Sequence, residues 1–264
     1  MRRYFELAKG EFRRYSTYRL AILAGIFTNT VFGLIKVGVL LAAIEAAGGT
    51  LRGYDARQAA TYVWLGQALL APVAMYAWTE VSDRVRTGEI AVDLGRPVDL
   101  QLAYWARDLG RATLALPTRG LPTLLLGAAL VGIALPSSWT AYPLGLVSLA
   151  LAVSISFVCR YGVNLIAFWT LDIRGYLGLY VLVLGLLSGL YVPVHIFSDW
   201  LRAIAHASPF PSMLQSPIDV LSGRASEVAA IAVLGVQCGW LVALVALTRV
   251  VGWRASKRLV VQGG

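Results

Sequence analysis

The chain has 264 residues, 58% hydrophobic and only 14% charged, with a formal charge of +9. Soluble domains carry about 25% charged residues, and several runs here reach the ~20 apolar residues that a ~30 Å hydrocarbon core requires. The composition therefore excludes an ordinary soluble domain and indicates a polytopic membrane protein. The positive charge does not indicate nucleic acid, because the basic residues flank apolar runs as membrane anchors do and form no single basic face.

The first stretch, 1–19, interleaves Arg2, Arg3, Lys9, Arg13, Arg14 and Arg19 with Tyr4, Phe5, Ala8, Phe12, Tyr15 and Tyr18. Positions 4, 8, 12 and 15 share one helical face, which predicts an amphipathic helix in the plane of the headgroups. A cleaved signal peptide fits less well: both the charged region and the following apolar run are too long, and no small-residue cleavage site follows. The predicted spans are 20–44, 59–78, 112–135, 146–171, 176–192 and 227–250. Pro72 is expected to kink the second. Cys159 and Cys238 both fall inside spans, with no CxxC and no histidine nearby in sequence, and read as small packing residues.

Between the second and third spans lies 79–111, a charge-dense segment too long for a simple turn. It carries Glu80, Asp83, Arg84 and Arg86, turns at Gly88, continues through Glu89 and Asp93, breaks at Gly95-Arg96-Pro97, and ends with Asp99, Arg107, Asp108 and Arg111. It is expected to fold on the water side and offer a docking surface. With the N-terminus inside and six spans, sixteen Lys and Arg fall on the inner side and four (Arg52, Arg57, Arg202, Arg224) on the outer. This bias places both termini and 79–111 in the cytoplasm.

Ionisable residues within spans are costly and commonly face a cavity or a partner. Lys36 lies deep in the first span, where snorkelling is difficult, and is a candidate for a translocation path or for pairing with another subunit. Arg160 and Asn164, four apart and so on one helical face, are candidates for the same roles, with bonding to carbonyls of a neighbouring helix as the structural alternative. Arg119, between Pro117 and Pro122, is expected to reach the headgroups. The outer segment 193–226 is too apolar for a free loop and too interrupted by prolines for a full crossing. It predicts two short helices that re-enter from outside and turn at Pro209-Phe210-Pro211, or else an amphipathic helix on the outer surface. His195 and Asp199, with His206 beyond, have no tight metal-binding spacing.

Arg86-Thr87-Gly88-Glu89-Ile90 and Asp93-Leu94-Gly95-Arg96-Pro97-Val98-Asp99, with the outer proline-rich segment and the amphipathic leader, resemble the ABC-2 type permeases of ABC exporters. The layout is most similar to the compact six-span, DUF990-like members and covers essentially the whole chain. The resemblance implies an all-α fold, one permease domain over 1–264, in the bacterial inner membrane. It also implies a coupling helix after span two seated in an ATPase, with Glu80, Asp83, Arg84, Arg86, Gly88 and Glu89 at the contact, and an outer gate around Pro209, Phe210 and Pro211. The implied partners are two ATPase subunits, holding ATP and magnesium, and a second permease, identical or a sister. No GxxxxGK[ST] occurs: Lys9, Lys36 and Lys257 are followed by Gly, Val and Arg, so ATP hydrolysis must come from another chain. The expected function is export of an amphipathic or hydrophobic substrate. An ion-coupled carrier would need a carboxylate within a span, and a non-transporting scaffold is the third reading.

Overall fold

The computed structural model describes residues 2–16, 19–170 and 172–258. Thr17 and Tyr18, within the expected leader helix, Leu171, the expected end of the fourth span, and the tail from Leu259 lie outside the described residues. Among the described residues the fold is helical without a named strand. In order it comprises α1 (Arg2–Ser16), α2 (Arg19–Ala46), α3 (Ala56–Val73), α4 (Glu80–Arg86), α5 (Ile90–Leu94), α6 (Leu100–Ala115), a π-turn (Leu116–Gly120), α7 (Leu121–Leu130) and α8 (Ala141–Leu165). Then follow α9 (Ala167–Thr170), α10 (Arg174–Leu187), α11 (Asp199–His206), α12 (Gln215–Leu221) and α13 (Glu227–Ser256). Three helical stretches, Arg19–Ala46, Ala141–Thr170 and Glu227–Ser256, are long and apolar enough to cross a membrane by length and composition.

The central element is α3. Its start is fixed by a capping box: Asp55 Oδ1 accepts from the Gln58 N–H at 2.7 Å, and Gln58 Oε1 accepts from the Asp55 N–H. Nearly all of α3 is buried. Trp64, fully buried, sits where a side chain on Gly33 of α2 or Gly127 of α7 would collide with its ring, at 2.7 and 2.0 Å from an added Cβ. Close approach through small residues is how helices associate in lipid, where apolar surface gains little from leaving the solvent. On the other side of α3, α8 packs along α13 and beneath α12. Gln237 of α13 ties these together: its Nε2 donates to Ser212 O at 2.8 Å and its Oε1 accepts from Ser148 Oγ at 2.8 Å.

Two expected boundaries move. The helix of the expected second span, α3, ends at Val73, directly after Pro72, where Ala74 adopts a left-handed conformation at φ +57°. The prolyl ring therefore marks an end more than a kink. The charged segment 79–111 does not end where a helix begins: its last part is the first three turns of α6, which continues through the π-turn into α7, so the third helix starts well before the expected position 112. That helix buries Arg111 beside Asp108 and the carbonyls of Ala71 and Pro72.

The leader helix packs on α6. Tyr4 and Ala8 of the expected face meet protein: Tyr4 Oη accepts from the Asp99 N–H at 3.3 Å, and a Cβ on Gly110 of α6 would lie 2.1 Å from the Ala8 carbonyl. Phe12 of that face is exposed. In 193–226, short turns and helices run through the bundle edge, with Pro211, Met213, Leu214 and Ile218 buried against α8, α10 and α13. Phe210, in a 3-10 turn Phe210–Met213, lies 6.3 Å from the Tyr180 ring.

Candidate functional site

The elbow α4–α5 joins the bundle through a polar network whose members come from four helices. Its centre is Asp108 of α6. Arg111 Nε donates to Asp108 Oδ1 at 2.9 Å, and Arg160 of α8 donates to Oδ2 at 2.8 Å. The guanidiniums of Arg160 and Arg111 supply the counter-charge that a buried carboxylate needs. Arg111 also donates to Ala71 O at 2.6 Å and Pro72 O at 2.9 Å. These are among the last carbonyls of α3, where the helix end favours a cation; Ala71 O also accepts from the Ala74 N–H at 3.2 Å. One aspartate and two arginines therefore lock the end of α3 to α6 and α8.

Asn164 extends the lock to the elbow. Its Nδ2 donates to Trp78 O and Arg160 O, both at 2.8 Å, and its Oδ1 accepts from the Ser82 N–H at 3.0 Å. Thr79, the residue preceding α4, makes no side-chain cap. Asn164 supplies that cap from a different helix, satisfying an otherwise unpaired N–H in the first turn of α4. Arg160 also lies 5.8 Å from the Trp78 ring. Trp78, Tyr104, Trp105, Phe157 and Tyr161 form a contiguous aromatic layer between elbow, α6 and α8.

The elbow is braced internally. Arg84 pairs with the buried Asp93 and, at 3.1 Å, with Glu89, so that α4 and α5 form one unit across the Gly88 turn, where φ is +79°. That conformation is accessible to glycine with little strain. Glu80 pairs with Arg107 of α6 at 3.3 Å. Val81 and Ile90 are fully buried beneath. Asp99, whose Oδ1 caps α6 by accepting from the Leu102 N–H at 2.8 Å, pairs through its other oxygen with Arg249 of α13.

Of the residues singled out in the elbow, Glu80 and Arg84 are struts, while Asp83, Arg86, Gly88 and Glu89 occupy the exposed tip. Two tip residues carried no signal in the sequence: Val92, 62% exposed, and Leu94, 39% exposed, make an apolar patch among these charges. Arg160 and Asn164 are buried and direct their donors to groups of this chain. Ser82 was not singled out, and Asp108 and Arg111 were read only as part of the charge-dense segment, although their i, i+3 spacing would let them pair on one helical face.

Lys36 lies elsewhere, half-buried between α2, α3 and the linker after α10, with its Nζ donating to Leu190 O at 2.9 Å. Arg119 Nη2 donates to the Ala21 carbonyl of α2, so it tethers two helices. His195 Nε2 lies 2.8 Å from Asp219 Oδ2, whereas Asp199 pairs with Arg202 and Arg52. The i, i+4 relation of His195 and Asp199 does not bring them together.

A family profile described as ABC-2 family transporter protein matches residues 27–263, all but the leader helix and the start of α2. No curated protein matches the chain.

Proposed function

Since the chain belongs to the ABC-2 family of transporter proteins, we propose that it is the membrane subunit of an ATP-driven exporter whose partner ATPase grips the α4–α5 elbow. The observation that supports this reading most is the combination of an exposed, mixed apolar and charged tip with a buried lock beneath it. A force applied at Val92, Leu94, Arg86 and Glu89 enters a braced unit and passes through Asn164, Asp108, Arg111 and Arg160 to α8, α6 and the end of α3. A solvated loop would need none of these buried ties.

Six crossings are then made by α2, α3, the α6–α7 run, α8, α10 and α13. At 14 residues α10 spans only about 21 Å, and the 188–196 linker completes its passage. The segment 193–226 forms the outer gate with Pro209, Phe210 and Pro211 at its turn. Both termini and the elbow lie in the cytoplasm of a bacterial cell, as the sixteen-to-four bias of basic residues supports. Two ATPase subunits, carrying ATP and magnesium, drive two permeases, identical or sister chains. The spans offer few charges for selecting an ion or sugar, so the substrate is amphipathic or hydrophobic.

Extraction in mild detergent tests this. The wild-type chain is expected to retain a nucleotide-hydrolysing subunit. Val92→Asp combined with Leu94→Asp should weaken that association by about tenfold or more, the loss of a contact of at least ~1.4 kcal/mol, with little change in thermal stability. A variant that keeps its ATPase removes the tip from docking. A wild-type chain that never carries one removes the transport reading.

A further inference from the structure

A cleft of about 310 Å³ opens between α2, α3 and the linker that follows α10. That volume reaches the lower end of the range of small-molecule sites, roughly 300–1,000 Å³. Its walls are apolar, among them Leu40, Val63, Ile196 and Leu214. Ile35, Val39 and Tyr191, all well exposed on the bundle surface, stand at its rim. The rim therefore faces the surrounding hydrocarbon, the direction from which a molecule dissolved in lipid would enter.

One charge lies in this cleft, that of Lys36. It is about ten residues from the end of α2, some 15 Å along the helix at ~1.5 Å per residue. Its Nζ donates to Leu190 O at 2.9 Å and sits 5.8 Å from the Tyr191 ring. With its amide oriented to satisfy both ends, Gln67 accepts from Nζ at 3.2 Å and donates to Asn29 O at 3.3 Å. An ammonium has three donors, and these two protein acceptors are both neutral. Among the described residues no Asp or Glu forms an ion pair with Lys36. By contrast, the buried arginines Arg111 and Arg160 share the Asp108 carboxylate within the chain. A half-buried cation in apolar walls, with dipoles and no counter-charge, is electrostatically incomplete.

We propose that this cleft binds an amphiphile with a single anionic headgroup, carboxylate or phosphate, on Lys36 and its hydrocarbon tail against Ile35, Val39 and Leu40. The headgroup supplies the missing charge, and the tail covers apolar wall that faces lipid. The far wall, Leu190 to Ile196, leads directly into the proline-broken outer segment through Pro193, so an occupant touches the element that would gate its exit. Gly189, at φ +87°, makes this junction: its carbonyl accepts from Tyr62 Oη at 2.7 Å, and a Cβ there would lie 2.4 Å from that oxygen. That the bound amphiphile is the exported one rests on the transport reading above; the binding chemistry does not.

The test uses the full chain in neutral-lipid nanodiscs without ATPase, so that it stands or falls apart from the docking experiment. The probes are a photoactivatable fatty acid, the matching fatty alcohol, and a photoactivatable phosphatidylglycerol. An anionic probe is expected to label peptides from Ile35–Ala43 and Gly189–Ile196, at least tenfold over the alcohol. Lys36→Gln should abolish that excess and Lys36→Arg should keep it. Labelling by the fatty acid identifies a diffusing amphiphile, and labelling by phosphatidylglycerol alone a membrane lipid headgroup; both uphold the site. Equal labelling by the alcohol, or an unchanged excess in Lys36→Gln, overturns it. So does an unlabelled cleft whose Lys36→Gln variant loses association between permeases, which would assign Lys36 to subunit pairing.

Discussion

The carboxylate of Asp108 illustrates how buried charge is tolerated at the root of the elbow. Removing one partner of a buried pair strands the other and costs about 3–5 kcal/mol, whereas replacing the pair with apolar groups of similar volume is often neutral. Asp108→Asn should therefore destabilise the protein by about that amount in detergent unfolding, and Asp108→Leu with Arg160→Met should recover only part of it, because Arg111 still loses the carboxylate it shares with Arg160. Unchanged unfolding stability in Asp108→Asn would show that the carboxylate is not the anchor. The sequence exposed half of this arrangement. Arg160 and Asn164 could be placed on one face from their spacing, but their partners Asp108, Trp78 and Ser82 are separated from them by 52 to 86 positions, and helix periodicity carries no information about which face meets which.

Elements were legible where one rule dominated. Apolar run length located α2, α8 and α13, and Asp55 and Asp99 stand at the starts of α3 and α6 as capping residues should. Packing was not legible: the charges of 107–111 gave no sign that Arg111 would be buried against Asp108, and the amphipathicity of the leader helix says that a face is covered without saying by what. Its seat on α6 depends on Gly110, where an added Cβ would meet the backbone of Ala8, which cannot move away as a side chain tip could. Gly110→Ala is expected to displace α1, raising amide hydrogen exchange across Arg2–Ser16 several-fold while α8 stays protected. Gly38→Ala, in open space on α2, is the matched control. Exchange in α1 that does not change with Gly110→Ala would show that the helix is held from its other side.

At the scale of the molecule, polar ties are distributed so that each end of the bundle is organised differently. An interhelical hydrogen bond within a membrane contributes only about 0.6 kcal/mol on average, so no single one fixes the fold. At one end, α3, α4, α6, α8 and α13 converge on Asp108, Asn164 and Asp99. At the other, Gln215 joins the broken segment to the body, its Oε1 accepting from Tyr62 Oη and the Val194 N–H and its Nε2 donating to Asp219. The charge bias along the chain predicts an orientation without any knowledge of packing. The crossing count was harder: α3 has only 18 residues, α6 and α7 are interrupted by a π-turn, and α10 is short. Orientation can be measured directly in a background lacking Cys159 and Cys238. A membrane-impermeant maleimide should label Ala47→Cys, beyond α2, on intact cells, and Thr87→Cys, at the elbow tip, only in inverted vesicles. Labelling of Thr87→Cys from outside would put the elbow on the side without ATP, and the docking scheme would fail with it.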